Sequence, residues 1–579
     1  MRIRSFRNGF TIMVIGLLAI MLLAACSSGD DDGDAGASTG SAAAAPTVAA
    51  PAPNAQPVVA QLIIASGNPV SRSTFNPWLS ESPRGPWFYA TTHESLIGAD
   101  PLTGEHTPRL ATSWTIEPDG RSVRFQLRKG VRFHGDNGEF TAKDLVRTKE
   151  EHTAEDAQHS HRTQYRAIDI EVVSDYEVVY RISKTNPEIL NNTSSWNLIS
   201  GEPFSAVSME KLGGNPDAVQ QPPAGTGPYQ FVDATHSSFF KVERVPYDHW
   251  RYNPDWEGIE FRWIDENSTR LAGILTGEIH LTDIPPDLVK QALEGGKAVT
   301  SAKVLTRERT IMFEGPIIDK SYGTYEATGA ACGYAHCDSP LLDVRVRRAL
   351  SKAIDRNQMN EAFFLGKGIE AHNAHFVPTR SYWNPDWDAR FQAEYGYDPA
   401  GAIALLAEAG YGPNNPLVLN IDVSPSGGLP EKEDLMESAA AFWNDIGVKT
   451  ELDQRDRAAT NPIRRGFGFT NRLTYQTSNI VDLQAFRVHH CSCESPRSGF
   501  ELLELDKSIA FMREVVDSTE VFKRLRLTGD LAFDLVIAIP IIWQPQELVY
   551  DPKVIASYDF SGVPLGVVAH FDQILAVKK

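Results

Sequence analysis

The fold class is decided by one stretch, Leu435-Met436-Glu437-Ser438-Ala439-Ala440-Ala441-Phe442-Trp443-Asn444-Asp445-Ile446-Gly447-Val448-Lys449-Thr450-Glu451-Leu452. Its first part places Leu435, Ala439, Phe442, Trp443 and Ile446 on one face of a helix. Gly447 suits the helix end, because glycine adopts the left-handed conformation without a steric penalty. The residues Val448 to Leu452 then predict a strand. A helix, a glycine and a strand in this order favour an α/β fold with partly parallel strands.

Strands and helices continue to mix on both sides of this stretch. Apolar or alternating residues predict strands at Val58–Ile64, Val123–Arg128, Val131–Phe133, Phe239–Val245 and Ile259–Ile264. Helices are predicted after the capping residues Thr141, Asp343 and Asp398. The apolar run Leu535–Ile542 is too short to span a membrane, and Pro540 within it fits a buried strand edge or a turn.

The composition limits the possible partners. The chain has 579 residues and a formal net charge of −19, which argues against nucleic acid because phosphate binding needs a basic surface. The same charge excludes a polybasic attraction to anionic lipid. Hydrophobic residues make up 42% of the chain, as expected for a large globular protein with more than one lobe.

The first residues predict an export signal. Arg2, Arg4 and Arg7 precede an apolar run from Phe10 to Leu23, which is shorter than the roughly 20 apolar residues that a membrane span needs. Leu22-Leu23-Ala24-Ala25-Cys26 resembles the bacterial lipobox, whose cysteine is lipidated after cleavage. We therefore expect a signal peptide at 1–25, a lipid on Cys26, and anchorage to the outer face of the cytoplasmic membrane. Residues 26–57, rich in Ala, Pro, Gly, Ser and Asp, are expected to form a flexible tether.

Four further cysteines are disulfide candidates in an exported protein: Cys332, Cys337, Cys491 and Cys493. Cys332 and Cys337 flank a short segment that resembles a turn and could form a local bond. Cys491 and Cys493 are separated by one residue, which strains a direct bond between them. Pairing across the two sets is therefore the alternative to local pairing.

The histidines do not predict a catalytic site. His152, His159 and His161 are expected in a solvated loop, and His372 and His375 at the surface. His489-His490-Cys491-Ser492-Cys493 looks superficially like a metal cluster, but oxidised cysteines do not bind metal. The sequence contains no nucleophile elbow, His-Glu-x-x-His helix, phosphate-binding glycine loop or dinucleotide fingerprint. We expect no catalytic residue, metal or cofactor; an exported metal-dependent hydrolase is the alternative.

Several blocks together resemble a known family. They are Pro108–Trp114, Pro118–Gly120, Phe125–His134, Thr141–Val146, Gly225–Tyr229, Leu275–Ile279, Asp343–Leu350 with Ala353–Arg356, and Tyr397–Pro399 with Leu405–Tyr411. In this order they resemble extracellular solute-binding proteins of family 5, which serve peptide, dipeptide and nickel ABC importers. The resemblance implies an α/β fold similar to type II periplasmic binding proteins, with three lobes and a hinged ligand cleft. Lobe I would comprise 58–98, 218–312 and 535–579, lobe II 99–217, and lobe III 313–534.

The resemblance also implies a ligand site between the first and third lobes. Ser80, Glu81 and Ser82 would contribute from lobe I, and Tyr475, Asn479 and Asp482 from lobe III. Asn479 aligns with the aspartate that holds the peptide amino terminus in relatives, and Asp482 would replace it if the register shifts. An asparagine carries no charge to bind an ammonium group, so a neutral or differently charged solute is equally compatible. The tryptophans Trp78, Trp87 and Trp196 could line the cleft or pack in the core.

These observations predict a binding protein rather than an enzyme. It would be a monomer that captures a peptide or a similar small solute outside the cell. It would then deliver the solute to ABC transporter permease subunits, with cleft closure as the mechanism. The same fold binding a metal chelate is a further alternative.

Overall fold

The structure is a computed structural model of the chain. It describes residues 56–67, 89–100, 102–103, 105–155, 157, 162–182, 189–192, 205–212, 221–305, 307–321, 326–424, 431–455, 459–460, 462–463, 466–478, 489–492, 500–560 and 570–579. All of them belong to the unit Ala55–Lys579. The predicted signal peptide at 1–25 and the lipidation residue Cys26 lie outside the described residues.

Strands and helices are mixed along the described chain. The strands are β1 (Gln61–Ser66), β2 (Ile97–Ala99), β3 (His106–Pro108), β4 (Ala111–Ile116), β5 (Ser122–Leu127), β6 (Ile168–Ser174), β7 (Glu177–Ile182), β8 (Tyr229–Thr235), β9 (Phe239–Arg244), β10 (Gly258–Trp263), β11 (Leu281–Thr282), β12 (Ala298–Ser301), β13 (Arg307–Glu314), β14 (Ile369–Glu370), β15 (Val418–Asp422), β16 (Lys449–Asp453), β17 (Arg472–Ser478), β18 (Ala538–Gln544), β19 (Glu547–Tyr550), β20 (Ile555–Ser557) and β21 (Leu575–Ala576). The α-helices are α1 (Tyr89–Thr92), α2 (Ala142–Thr153), α3 (Arg162–Arg166), α4 (Ile189–Asn192), α5 (Ala206–Leu212), α6 (Asn267–Thr276), α7 (Pro286–Glu294), α8 (Val344–Lys352), α9 (Arg356–Phe364), α10 (Pro385–Tyr395), α11 (Pro399–Glu408), α12 (Lys432–Asp445), α13 (Leu503–Met512) and α14 (Ser518–Leu535). Short 3₁₀ helices cover Pro340–Leu342 and Phe571–Gln573.

Three large sheets organise most of these elements, and β2-β3 and β20-β21 form two-stranded sheets. A seven-stranded sheet has the order β12-β19-β11-β1-β10-β9-β8, a six-stranded sheet β14-β18-β13-β17-β15-β16, and a four-stranded sheet β4-β5-β7-β6. Each large sheet has its own cluster of buried apolar side chains. We call each of these large sheets, together with its apolar cluster, a body.

The stretch from Leu435 to Leu452 folds as predicted. Helix α12 buries Leu435, Ala439 and Trp443 completely in the core of the six-stranded sheet. Gly447 follows with φ +86°, and β16 then pairs in parallel with β15. The prediction of an α/β fold with partly parallel strands is confirmed.

The three predicted helix starts are also confirmed. Thr141 precedes α2 and takes part in a capping box. Asp343 precedes α8 and Asp398 precedes α11, and each carboxylate accepts a hydrogen bond from a backbone N–H of the first turn, at 2.8 and 2.9 Å. Such bonds satisfy donors that have no partner inside the helix.

Two predicted strands differ from the structure. The first begins at Gln61 instead of Val58, whose N–H donates to the carbonyl of Val577 at 2.9 Å. Gln56, which the sequence assigns to the tether, likewise accepts a hydrogen bond from Lys579 N at 2.9 Å. Val131–Phe133 forms no strand, because its pairing is limited to one isolated bridge.

Pro540 lies inside β18, and β18 is an inner strand of the six-stranded sheet. The prediction of a buried strand is correct, but its placement at an edge is wrong. The register between β13 and β18 shifts between Arg309 and Thr310, and Thr310 is paired with Pro540. Such an irregularity accommodates a residue that has no N–H to donate to the ladder.

Two short segments connect the seven-stranded and six-stranded sheets. One joins β12 to β13 and the other joins β18 to β19. The N–H of Ala302 in the first donates to the carbonyl of Gln546 in the second at 2.7 Å. We call the described residues 302–305 and 545–546 the crossing segments. Short paired connections of this kind suit a hinge, since few residues must change their dihedral angles.

The strands bear on two predicted lobe boundaries. The boundary at 312/313 falls inside β13, and β18 lies in the range 535–579 that the sequence assigns to lobe I. Both strands belong to the six-stranded sheet, because they pair with each other and β13 also pairs with β17. This sheet therefore extends beyond 313–534 at both ends. The division into three lobes itself stays a prediction.

The block Gly225–Tyr229 packs tightly against the segment at the end of α1. A Cβ on Gly225 would lie 2.2 Å from the carbonyl oxygen of Thr92, and one on Gly227 would lie 2.5 Å from that of Thr91. Backbone atoms cannot swing away as a side chain can. Glycine is therefore required here by close approach.

Three buried histidines hold the same block. His93, His134 and His249 each donate from Nε2 to a backbone carbonyl between Pro223 and Gly227, at 3.1, 2.9 and 2.8 Å. Burial lowers the pKa of His93 to about 3 and that of His134 to about 4. Both rings are therefore neutral donors at neutral pH.

The structure pairs Cys332 with Cys337, whose Cα atoms are 5.9 Å apart. Cys491 is also disulfide-bonded, and Cys493 lies outside the described residues. These pairings exclude a bond from Cys332 or Cys337 to Cys491. In the described part of the chain, no helix combines the length and the apolar character that crossing a membrane requires.

Candidate functional site

The predicted ligand residues fall into two groups. Tyr475 is described and lies on β17. The others lie outside the described residues, namely Ser80, Glu81, Ser82, Asn479 and Asp482, together with the tryptophans Trp78, Trp87 and Trp196. Their roles stay predictions. The site can be built from Tyr475 and from the residues around the end of β17, where Ser478 is the last residue of the strand.

Tyr475 is held by a carboxylate at the start of α12. Its side chain is buried, with 2% exposure, and its hydroxyl donates to Glu431 Oε1 at 2.9 Å. Burial raises the pKa of Tyr475, and Glu431 raises it further against the opposing effect of Arg309. The phenol therefore stays protonated and acts as a donor. Its contribution to the site passes through Glu431, because the hydroxyl is already engaged.

Arg309 joins Tyr475 and Glu431 to β18, the strand that leads into a crossing segment. Its Nη1 lies 3.2 Å from Glu431 Oε1, and its Nε donates to Gln544 Oε1 at 2.9 Å. Gln544 is the last residue of β18, directly before a crossing segment. The guanidinium is only 4% exposed, so these contacts are little screened by water. Arg309 thus connects β13, β18 and α12 at the end of the sheet that continues into the crossing segments.

A second polar group lies next to Arg309 in the chain. Glu308 pairs in register with Ser478 and is fully buried. Its two carboxylate oxygens accept hydrogen bonds from the backbone N–H of His375, at 3.1 and 3.0 Å, and Oε2 lies 3.2 Å from His375 Nδ1. His375 has φ +71°, a conformation that costs a non-glycine residue about 1 kcal/mol or more. The contacts with Glu308 hold it there.

His375 continues this group towards residues 489–492. His375 Nε2 lies 3.2 Å from His490 Nε2, and the rings of His375 and His489 are stacked with centroids 5.4 Å apart. Burial, followed by the neighbouring histidines His375 and His489, lowers the pKa of His490. His490 Nδ1 lies 3.2 Å from the carbonyl oxygen of Phe500, so the neutral ring donates there. The imidazoles therefore form a buried, hydrogen-bonded unit with Glu308.

This unit does not have the arrangement of a metal centre. Within the described residues, no three His, Cys, Asp or Glu side chains converge to hold a metal ion. The carboxylates and cations near Tyr475 instead face one another inside the protein. Such an arrangement can shape and stiffen a binding surface.

The placement of two histidines differs from the prediction. His375 was expected at the surface but is 1% exposed, because Glu308 and His490 supply polar partners inside the protein. His152 was expected in a solvated loop but lies on α2. Its ring is buried against Tyr165 with centroids 4.7 Å apart, and its Nδ1 donates to the carbonyl of Thr148 at 2.8 Å.

Glu308, Arg309 and Glu431 were missed by the sequence reasoning. The sequence contained one indication of this cluster. The charged run Arg307-Glu308-Arg309 precedes the apolar residues Ile311-Met312-Phe313 in the same strand. Charged residues at the start of a buried strand need partners, and so they indicate a polar cluster. Glu431 gave no such signal, because its partners are distant in the sequence.

The comparisons with known proteins agree with this architecture. The model of the bacterial extracellular solute-binding proteins, family 5 Middle, matches residues 105–493. The chain therefore belongs to this family of solute-binding proteins for ABC transporters. Its members are extracellular or periplasmic binding proteins and not enzymes.

Three relatives illustrate the similarity. Heme-binding protein A of Haemophilus influenzae is 27% identical over 390 residues, which cover 63% of this chain and 66% of the relative. The dipeptide-binding protein of Escherichia coli is 24% identical over 373 residues, covering 60% and 63%. The solved structure of HbpA2 from Haemophilus parasuis superposes with a TM-score of 0.73 at 21% identity, covering 90% of this chain and all of that chain.

The chain spans just under two thirds of the length of the two curated relatives described above. The structural match shows the fold, a mixed α/β periplasmic-binding-protein fold.

Proposed function

We propose that the chain captures a peptide or a similar small solute outside the cell and delivers it to the permease of an ABC importer. The observation that supports this most is the polar network of Tyr475, Glu431, Arg309 and Gln544. It joins the middle of β17, a strand that the predicted ligand residues follow in the chain, to β18, which leads into a crossing segment. A solute bound there would act directly on the hinge.

Binding and closure would be linked in this mechanism. A solute that contacts both sides of the cleft favours the closed arrangement by its differential affinity for the two states. The permease would then recognise the closed form. Residues 26–55 would act as a leash from the lipid on Cys26 and keep the protein near its transporter, which raises the effective concentration.

The proposed solute class rests on Asn479. From the family resemblance, we expect Asn479 at the position of the amine-binding aspartate of peptide-binding relatives. A carboxylate binds an ammonium group by a charge-assisted hydrogen bond, which an amide does not provide. We propose a solute whose recognition does not rest on a free amine at this position, such as a peptide held by its backbone. This proposal is compatible with the names of two relatives, which are a heme-binding and a dipeptide-binding protein.

Mass spectrometry of the protein purified gently under native conditions tests the function directly. We expect a co-purified small molecule that is released on denaturation. Thermal shift with a panel of di-, tri- and oligopeptides, glutathione and heme then assigns the class, because a ligand raises the melting temperature according to its concentration relative to Kd. No bound molecule and no shift with any of these solutes would contradict the proposal.

A gain-of-function variant tests the residue assignment. Asn479→Asp should strengthen binding of free-amine dipeptides by about tenfold, as one added charge-assisted bond would, but not binding of N-acetylated dipeptides. Asn414→Asp adds the same charge at an exposed position and should change neither. Equal effects on free and acetylated peptides would show that Asn479 does not face the amine.

A further inference from the structure

Val516 lies in the apolar core of the four-stranded sheet, although it is far along the chain from that sheet. Its side chain is 3% exposed and clusters with residues such as Phe125 and Leu190. Among the buried members of this cluster that the structure describes, every other one lies between Leu96 and Leu190. Val516 therefore reaches into this core from another part of the molecule.

The turn that carries Val516 belongs to the six-stranded body. It connects α13 to α14, and Leu505, Ile509 and Leu525 of these helices are buried in the core of the six-stranded sheet. Asp517 closes the turn by accepting a hydrogen bond from the N–H of Glu520 at 2.9 Å. A turn fixed in one core thus inserts a side chain into the core of another body.

A second contact joins the six-stranded body to the four-stranded body. The hydroxyl of Thr379 donates to the carbonyl of Leu102, in the turn between β2 and β3, at 3.3 Å. Ile97 of β2 belongs to the same core as Val516. Three residues after Thr379, Tyr382 packs edge-on against Phe522 of α14 with ring centroids 5.8 Å apart. Thr379 and Val516 therefore lie on one surface, which we call the docking surface.

The order of the sheets along the chain makes the contact of Val516 sensitive to opening of the cleft. The four-stranded sheet is inserted between β1 and β8 of the seven-stranded sheet, whereas the six-stranded sheet joins that sheet through the crossing segments. Rotation about the crossing segments would carry the docking surface away from the four-stranded sheet. The contact of Val516 would then be lost without breaking either body.

We propose that Val516 is a closure latch: its insertion into the core of the four-stranded sheet stabilises the closed arrangement before any solute binds. The proposal rests on the proposed function, since it assumes a cleft that opens and closes. Burial of a valine side chain corresponds to a change of at least about tenfold in an equilibrium constant. Loss of this burial should lower the ratio of closed to open molecules by the same factor.

The neighbouring Val515 supplies a matched control. It is partly exposed and does not belong to the buried core. Val516→Asp places a charge into an apolar core and should open the molecule, whereas Val515→Asp adds the same charge beside it and should not. Val516→Ala removes part of the buried surface and should give an intermediate effect, which is informative even if the aspartate variant folds poorly.

Small-angle X-ray scattering and amide hydrogen exchange on the solute-free protein test the latch. We expect a larger radius of gyration for Val516→Asp and Val516→Ala than for Val515→Asp, with faster exchange confined to residues 96–103, 189–192 and 513–517. Unchanged radii in both Val516 variants, or equal increases in Val515→Asp, would overturn the proposal. These measurements test the latch without added solute, whereas solute binding by the wild type tests the proposed function. Failure of one proposal is therefore distinguishable from failure of the other.

Discussion

Substitution of Gly227 by alanine is the sharpest test of the packing around the block Gly225–Tyr229. The added Cβ would lie 2.5 Å from the carbonyl oxygen of Thr91 and 2.6 Å from the carbonyl carbon of Thr92. Both atoms are backbone, so the strain can be relieved only by moving one segment away from the other. That movement also breaks the hydrogen bond from Gly227 N to Thr92 O, at 2.9 Å, and loosens the one from His134 to Gly227 O.

The expected cost follows from these contacts. Each buried hydrogen bond contributes about 1 kcal/mol net, and overpacking costs about 1–3 kcal/mol. We therefore expect Gly227→Ala to lower the free energy of unfolding by about 3–5 kcal/mol. Urea denaturation at pH 7, followed by tryptophan fluorescence, measures this as a shift of the transition midpoint.

Gly412→Ala is the matched control. No heavy atom would lie within 4 Å of its Cβ, and its φ is outside the left-handed range. The same substitution should therefore be neutral or stabilise by up to about 1 kcal/mol, through the unfolded chain. Equal midpoints for the two variants would refute the close-approach argument.

Three further predictions concern buried charge and pH. Burial lowers the pKa of His134 from 6.5 to about 4, so the stability that this residue contributes is present above pH 6.5 and lost as the pH falls towards 4. Between pH 7 and 5, the free energy of unfolding of His134→Gln, measured in urea, should therefore fall by about 2 kcal/mol less than that of the wild type. Burial alone would lower the pKa of His372, but hydrogen bonds to Glu370 and Asp388 outweigh it and raise this pKa above 6.5. The stability that His372 contributes is therefore complete below pH 6.5 and lost at higher pH. NMR titration of the ring should show the raised pKa, and an unshifted pKa would contradict the pairing. Arg472→Met should cost about 3–5 kcal/mol in urea unfolding, because it removes the buried cation that Glu314 and Asp422 face. Arg455→Met, whose side chain is 49% exposed, should cost less than about 1 kcal/mol, and similar costs would refute the role of burial.

Local patterns were sufficient for much of the secondary structure. Helix α12, Gly447 and β16 follow from periodicity and from the conformational freedom of one glycine. The starts of α2, α8 and α11 follow from capping residues. Both kinds of signal act over a few residues and therefore survive in any fold that buries the apolar face. The strand prediction at Val131–Phe133 failed because three residues carry too little periodicity to distinguish a strand from an extended turn.

Local patterns along the chain predict the α/β class and several helix boundaries, and the ordered family blocks predict the kind of protein. Which strands share a sheet, and which charges meet, depends on the tertiary fold. β13 and β18 lie more than two hundred residues apart yet pair directly, and Arg309 meets Glu431 and Gln544 only because of that pairing. Val516 shows the same limit, since its burial in a distant core depends on how one body contacts another. Contacts of this kind are set by the summed packing of whole bodies, and no local pattern encodes them.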